Sequence, residues 1–158
     1  MARCDDRMSL TSTMLLKAIA IWLLIFAIEA VHGVLRTLYL VPILGDLPAR
    51  QVGVAVGSLL ILLIAWLTVR WIGVHSVHQW RTVGALWVTL MIVAEVVLGR
   101  FAFRYPWSRI AEDFNPTRGG LLGFGMLVLY FAPGWMARLR GIATARRPAG
   151  RSSHARSL

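Results

Sequence analysis

Four long apolar segments set what this chain can fold into. They cover residues 14–40, 51–72, 82–104 and 119–137. Apolar residues make up 58% of the 158 residues, and they occur in continuous blocks rather than at helical or strand spacing. A helix needs about 20 apolar residues to cross a bilayer, and a helix that is apolar all round is typical of buried or lipid surroundings. The sequence therefore predicts an all-α integral membrane protein with four transmembrane helices in one domain, residues 14–141.

Arginine dominates the charge of the chain and predicts its orientation. The net charge of +10 comes from 16 arginines, one lysine and seven acidic residues. With four membrane helices, 11 of the cations lie on the side of the two termini and six lie on the other side. Cytoplasmic segments carry the excess of basic residues, so residues 1–13 and 142–158 are both expected to be cytoplasmic. This distribution indicates a membrane topology signal, not a nucleic-acid-binding surface.

The excess of arginine over lysine and the C-terminal residues suggest where in the cell the protein lies. Arginine in place of lysine is typical of a bacterium with a GC-rich genome, which favours the bacterial inner membrane. Residues 142–158 are rich in arginine, serine and alanine, and they are expected to form a disordered basic tail that contacts anionic lipid. Aromatic residues are expected at both membrane interfaces. Those on the cytoplasmic side are Trp66, Trp71, Trp80, Trp87 and Trp135, and those on the opposite side are Tyr39, Tyr105 and Trp107.

Prolines predict where helices end or bend. Pro42 and Pro106 follow the first and third apolar segments, and proline cannot continue the helical hydrogen-bond ladder. We therefore expect these two helices to end there. Pro133 lies inside the fourth segment and predicts a kink.

The second half of the chain resembles the first. Residues 48–73 align without a gap to residues 116–141, and Glu29 aligns with Glu95 after a two-residue change in loop length. The pattern predicts a tandem duplication of a two-helix hairpin, related by a pseudo-two-fold axis along the membrane normal. The alternative is convergence, because membrane helices commonly share internal glycines and terminal arginines. Matched residues include Pro48 with Pro116, Arg50 with Arg118, Gly57 with Gly125, Arg70 with Arg138 and Gly73 with Gly141.

Two glutamates lie within predicted membrane helices. A carboxylate at the centre of a membrane helix costs about 2.5–3.5 kcal/mol, so Glu29 and Glu95 each need a partner, a proton or a function. His32 and Arg36 share a helix face with Glu29. Both glutamates are expected to point inwards, where a close pair can hold a shared proton or a cation. The alternative is a structural network in which Arg36 or Arg100 satisfies a carboxylate.

Metal and haem binding depend on the histidines. Glu29-x-x-His32 has the spacing of ferritin-like di-iron bundles, which need the motif twice. Leu98 occupies the position equivalent to His32, so no metal site is expected. No cofactor is expected either. His32 is the one histidine within a predicted helix, so it is the candidate axial ligand if a haem is bound. Cys4 is the only cysteine, which excludes an internal disulfide.

Small residues and one loop carry further signals. Gly53 with Gly57, and Gly119 with Gly123, have the G-x-x-x-G spacing that lets helices pack closely or form a homodimer.

The connection 103–118 mixes charged and aromatic residues, which predicts a short amphipathic helix on the membrane surface. A solvated loop is the alternative reading.

Three functions fit these observations. The chain has no nucleophile elbow, phosphate-binding loop or cysteine pair, which favours a non-enzymatic protein. The first hypothesis is an accessory or assembly subunit of a larger membrane complex. The second is a small proton- or cation-linked carrier that uses Glu29 and Glu95, with His32 as a relay. The third is a redox subunit that binds haem at His32.

Overall fold

The computed structural model describes the backbone of residues 2–142 and the side chains of residues 12–142 other than Arg118. This part of the chain is helical and contains no strand. The predicted basic tail lies outside the described residues, apart from its first residue. The helices are α1 (Ala2–Leu35), α2 (Val41–Leu44), α3 (Asp46–Ile72), α4 (Val77–Val97), α5 (Trp107–Asp113) and α6 (Leu122–Leu139). Arg36–Leu40 and Leu98–Ala102 are π-helical, and Pro116–Arg118 is a 3₁₀ helix.

Four helical runs in the described chain are long and apolar enough to cross a membrane, as predicted. They are Ser12–Leu44, Asp46–Ile72, Val77–Ala102 and Leu122–Leu139. Even the shortest, at 18 residues, is about 27 Å long at a rise of 1.5 Å per residue, close to the thickness of a bilayer core. Some ends differ from the prediction. The second run begins at Asp46 rather than at residue 51, and the fourth begins at Leu122 rather than at residue 119.

Pro42 does not end the first helical run, contrary to the prediction. The π-helical segment Arg36–Leu40 precedes α2, and Pro42 lies in the first turn of α2. The helical run continues across Pro42, which has no N–H to donate. The π-helical turn before it, closed by the Val41 N–H to the Arg36 carbonyl, accommodates the proline. The run ends instead at Gly45, whose φ of +82° is a conformation that glycine adopts without strain.

A short capped turn joins α3 to α4. The N–H of Gly73 donates to the Val69 carbonyl at 3.3 Å, in the left-handed conformation typical of a helix C-terminus. Ser76 begins α4, because its hydroxyl accepts a hydrogen bond from the Gln79 N–H at 3.2 Å. The Gln79 side chain in turn accepts from the His75 N–H at 2.8 Å. These bonds satisfy backbone groups that the helix ends leave unpaired.

The four long helices form a ring in the order α1, α3, α6, α4. The α3 helix packs against α1 and α6, and α6 packs against α4. The contact between α1 and α4 closes the ring and is the smallest of the four. It includes Trp87, whose indole N–H donates to the Ala18 carbonyl at 2.8 Å. Buried residues from all four helices form one core.

Two glycines allow α4 and α6 to approach closely. A Cβ at Gly84 would overlap the carbonyl of Tyr130, so the two backbones meet there. A Cβ at Gly134 would lie 2.8 Å from Cδ2 of Trp80, so this glycine makes room for an indole ring. Neither glycine was predictable as a contact residue, because neither belongs to a G-x-x-x-G pair.

Exposed aromatic residues lie at both ends of the four-helix bundle, often beside a cation. At one end the Arg140 guanidinium lies 4.7 Å from the centre of the Trp66 ring, and Lys17 Nζ lies 5.3 Å from that of Trp71. Trp80 and Trp87 are not part of this exposed group, contrary to the prediction, since both are buried in the core. Exposed aromatic residues at the opposite end are Tyr39, Phe101, Phe103, Tyr105 and Trp107.

Candidate functional site

The core-facing stripe of α1 changes from apolar to polar between Ile25 and Glu29, about half-way along the helical run Ser12–Leu44. Beyond Ile25, no described residue of α1, its π-helical extension or α2 is buried. Glu29, His32 and Arg36 continue the stripe at the same spacing, and all three are half-buried. The buried residues that precede them on this stripe are Met14, Ala18, Ile21 and Ile25.

Glu95 has a comparable place on α4. Met91 is buried, and Glu95 follows it by four residues, which continues the same helix face. No described residue between Met91 and Gly99 is buried, and Glu95 is exposed. The expectation that both glutamates point inwards is therefore met in part by Glu29 and not by Glu95. The residues of α4 beyond Met91 are all at least partly exposed, so the core does not enclose Glu95.

Gly53 and Gly57 of α3 lie beneath the polar side chains of α1. A Cβ at Gly57 would lie 2.6 Å from Oε2 of Glu29, and one at Gly53 would lie 2.6 Å from Cδ of Arg36. The atoms nearest to each glycine are side-chain atoms, not the backbone of another helix. These glycines therefore make room for the Glu29 carboxylate and the Arg36 stem.

The polar side chains are incompletely paired. Nδ1 of His32 lies 3.3 Å from Oε2 of Glu29, so a protonated Nδ1 donates to that oxygen. Oε1 of Glu29 is buried and has no hydrogen-bond partner among the described residues. The Glu95 carboxylate interacts electrostatically with Arg36 and Glu29 and with Asp113 on α5. The four side chains Glu29, His32, Arg36 and Glu95, with Gly53 and Gly57 beneath them, are called the α1–α4 cleft below.

Three predicted site residues lie outside the cleft. Arg100 does not satisfy a carboxylate; its guanidinium donates to the Tyr105 carbonyl at 3.4 Å and lies 5.9 Å from the centre of the Trp107 ring. Gly119 precedes α6, has a φ of +79° and contacts the Leu47 side chain. Gly123 is in α6, and the nearest atom to a Cβ there is the Phe114 carbonyl oxygen at 4.0 Å.

An ion-pair network that the sequence analysis missed joins α3 to α5. Arg50 pairs with Asp46 at 2.8 Å and also with Asp113, which lies 63 residues away in the sequence. Arg109 pairs with Asp46 at 3.3 Å and with Asp113 at 3.8 Å. Two of these pairs have i,i+4 spacing and could have been found from the sequence. The network fixes α5, the predicted short helix of the 103–118 connection, against the start of α3.

Replacing Arg50 with alanine is expected to lower the free energy of unfolding by about 1–2 kcal/mol. Exposed single ion pairs contribute about 0–1 kcal/mol, but Arg50 is 22% exposed and holds two carboxylates. Unfolding in detergent micelles at low and high salt measures the loss, which should shrink as salt rises. Arg50→Lys should recover only part of it, because lysine lacks the two-pronged geometry of arginine. A loss no greater than that of Arg138→Ala, which changes an exposed arginine at the other end, contradicts the role of the network.

The cleft brings together two carboxylates, an imidazole and a guanidinium. Such a set can hold a proton, a cation or the polar side chain of a partner. Comparison with family models, curated proteins and solved structures gave no match to this chain. Within the described residues, no group of three or more His, Cys, Asp or Glu side chains is arranged to hold a metal ion.

Proposed function

We propose that the chain is a multi-pass protein of a bacterial inner membrane, with both termini in the cytoplasm. Four apolar helices of sufficient length support membrane insertion. The arginine distribution supports the orientation, and exposed aromatic residues at both ends of the ring fit interfaces with lipid headgroups.

Duplication of a two-helix hairpin belongs to the same proposal. The ring order itself does not support the predicted two-fold axis, because such an axis would place α1 diagonally opposite α4, whereas the two helices are neighbours. A π-helical segment follows both α1 and α4. The correspondence is imperfect, because the segment begins seven residues after Glu29 and three residues after Glu95.

The proposed function is that of a non-enzymatic accessory or assembly subunit of a larger membrane complex. One observation carries it: the α1–α4 cleft continues the core-facing stripes of two helices, yet Glu95 is exposed and Glu29, His32 and Arg36 are only half-buried. Ionisable side chains in the bilayer are expensive unless they are paired or face a polar environment. A helix from another subunit that lies over the cleft supplies both the missing partner and the missing packing.

A small proton- or cation-linked carrier is the second candidate. The charges of Glu29 and Asp113 both act on the Glu95 carboxylate. Carboxylates within membrane helices are the groups that proton- and cation-linked carriers use. A haem at His32 is a third possibility, for which the imidazole beside Glu29 provides the ligand.

Mild affinity purification from the native host separates these functions. We expect the wild-type chain to copurify with membrane subunits, and the Glu29→Gln/Glu95→Gln variant to recover roughly one-tenth as much, a difference of about 1.4 kcal/mol. Glu112→Gln, on α5 and outside the cleft, is the control and should retain the complex. The measurement is quantitative mass spectrometry with an absorption spectrum of the same sample.

Each function predicts a different result. Free wild-type monomer counts against the subunit function. Proton or cation flux in proteoliposomes that disappears in the double variant supports the carrier, and a Soret band that is lost in His32→Ala supports the haem.

A further inference from the structure

The charges of the α1–α4 cleft do not balance. Glu29 and Glu95 contribute two negative charges when ionised, Arg36 contributes one positive charge, and a neutral imidazole adds none. Neither Arg36 nor Glu95 makes a side-chain hydrogen bond or an ion pair within 4 Å in the described part of the chain. The cleft therefore carries a net charge of about −1 that one added cation can neutralise.

The depth of the cleft limits where this cation comes from. Gly57, which lies beneath the Glu29 carboxylate, is 11 residues from the first residue of α3. At 1.5 Å per residue it is about 16 Å below that end, and α3 is about 40 Å long. The carboxylate thus lies near the middle of the bundle. A basic side chain that pairs with it must be carried at a comparable depth.

The depth of the carboxylate favours a transmembrane helix as the carrier of the charge. A helix that is apolar along its length can lie in the bilayer beside α1 and α4, and one basic residue near its middle lies at the depth of Glu29. A second copy of this chain fits less well at this face, since its own cleft brings the same excess negative charge.

We infer that the α1–α4 cleft binds a transmembrane helix of another protein, which carries a single lysine or arginine near the middle of the bilayer. The basic group pairs with Glu95 and with the buried Oε1 of Glu29, which has no hydrogen-bond partner among the described residues. This inference rests on the proposed subunit function and adds the chemistry of the partner.

Synthetic transmembrane peptides test the inference directly. The probe is a helix of about 23 leucine and alanine residues with one central lysine. Matched peptides carry glutamine, glutamate or leucine at that position. Binding to the labelled full chain is measured by energy transfer in phosphatidylcholine vesicles. We expect the lysine peptide to bind about tenfold more tightly than the glutamine peptide.

Variants of the cleft residues test whether the negative charge of the cleft causes the preference for the lysine peptide. Glu29→Gln/Glu95→Gln should abolish the preference for lysine, and Arg36→Gln should increase it, because the cleft then carries a second unbalanced negative charge. Helical content and monomer size of each variant check that it remains folded. Equal binding of lysine and glutamine peptides, or an unchanged preference in the double variant, overturns the inference. Competition by methylammonium or by potassium that displaces the lysine peptide would identify a small cation as the occupant and also overturn it.

The two proposals fail in different ways. A native complex without any preference for the lysine peptide removes the basic helix but keeps the subunit function. A clear lysine preference in vesicles combined with free monomer in the native host removes the subunit function instead.

Discussion

Replacing Trp87 with alanine is expected to lower the free energy of unfolding by about 3 kcal/mol. Trp87 is 0% exposed, and it is the largest of the fully buried side chains. Its indole N–H donates to the Ala18 carbonyl at 2.8 Å. This bond joins α4 to α1, the two neighbouring helices with the smallest contact in the ring. Removal of the ring leaves a cavity and loses packing contacts. The expected value is at the lower end for buried tryptophan, because lipid rather than water surrounds the bundle in the proposed membrane location.

Trp87→Phe separates packing from hydrogen bonding. Phenylalanine keeps most of the ring volume and loses the donor, so we expect a loss of about 1 kcal/mol. Both variants are measured by denaturant unfolding in detergent micelles. Trp107→Ala, at a residue that is 61% exposed, should change the stability by less than about 1 kcal/mol. If Trp87→Ala is no more damaging than Trp107→Ala, the buried contact between α1 and α4 is refuted.

Gly84→Ala is expected to destabilise the protein by about 2–3 kcal/mol, although alanine is the better helix former. The new methyl group would meet the Tyr130 backbone, with its carbonyl carbon at 3.0 Å and its Cα at 3.3 Å. A backbone cannot rotate away as a side chain can, so α4 and α6 must separate and lose contacts along their interface.

Gly33→Ala is the matched control. A Cβ at Gly33 has nothing within 4 Å, and the residue lies inside α1. The same substitution should therefore stabilise the protein by up to about 1 kcal/mol through helix propensity alone. Opposite signs for the two variants in the same unfolding assay are the expected result. A loss of equal size at both positions shows that Gly84 does not mark a close helix contact.

The helices were predictable because their physical requirement is visible in the sequence. Long apolar blocks such as 51–72 can satisfy backbone groups only as helices if they lie in lipid. Their ends were less predictable. Pro42 reads as a helix terminator, but a π-helical segment and a short second helix accommodate it. These adjustments depend on local packing, which hydropathy does not describe.

Only the part of the cleft that lies on α1 was predictable from the sequence. Helical spacing places Glu29, His32 and Arg36 on one face, and the structure confirms this arrangement. The two glycines beneath them belong to another helix, so their role required the register between α1 and α3. Arg100 failed as a partner because its position beside Trp107 follows from the backbone after α4, which spacing cannot reveal.

The ion pair between Arg50 and Asp113 has a consequence for how the chain is made. Arg50 and Asp113 are 63 residues apart in the sequence, so α3 is complete before Asp113 leaves the ribosome. In the proposed topology both residues lie outside the cytoplasm. A chain whose second hairpin is inserted upside down leaves Asp113 on the wrong side and Arg50 without this partner. The ion pair thus favours correct insertion of the second hairpin. A chain with the second hairpin inverted remains a substrate for quality-control proteases.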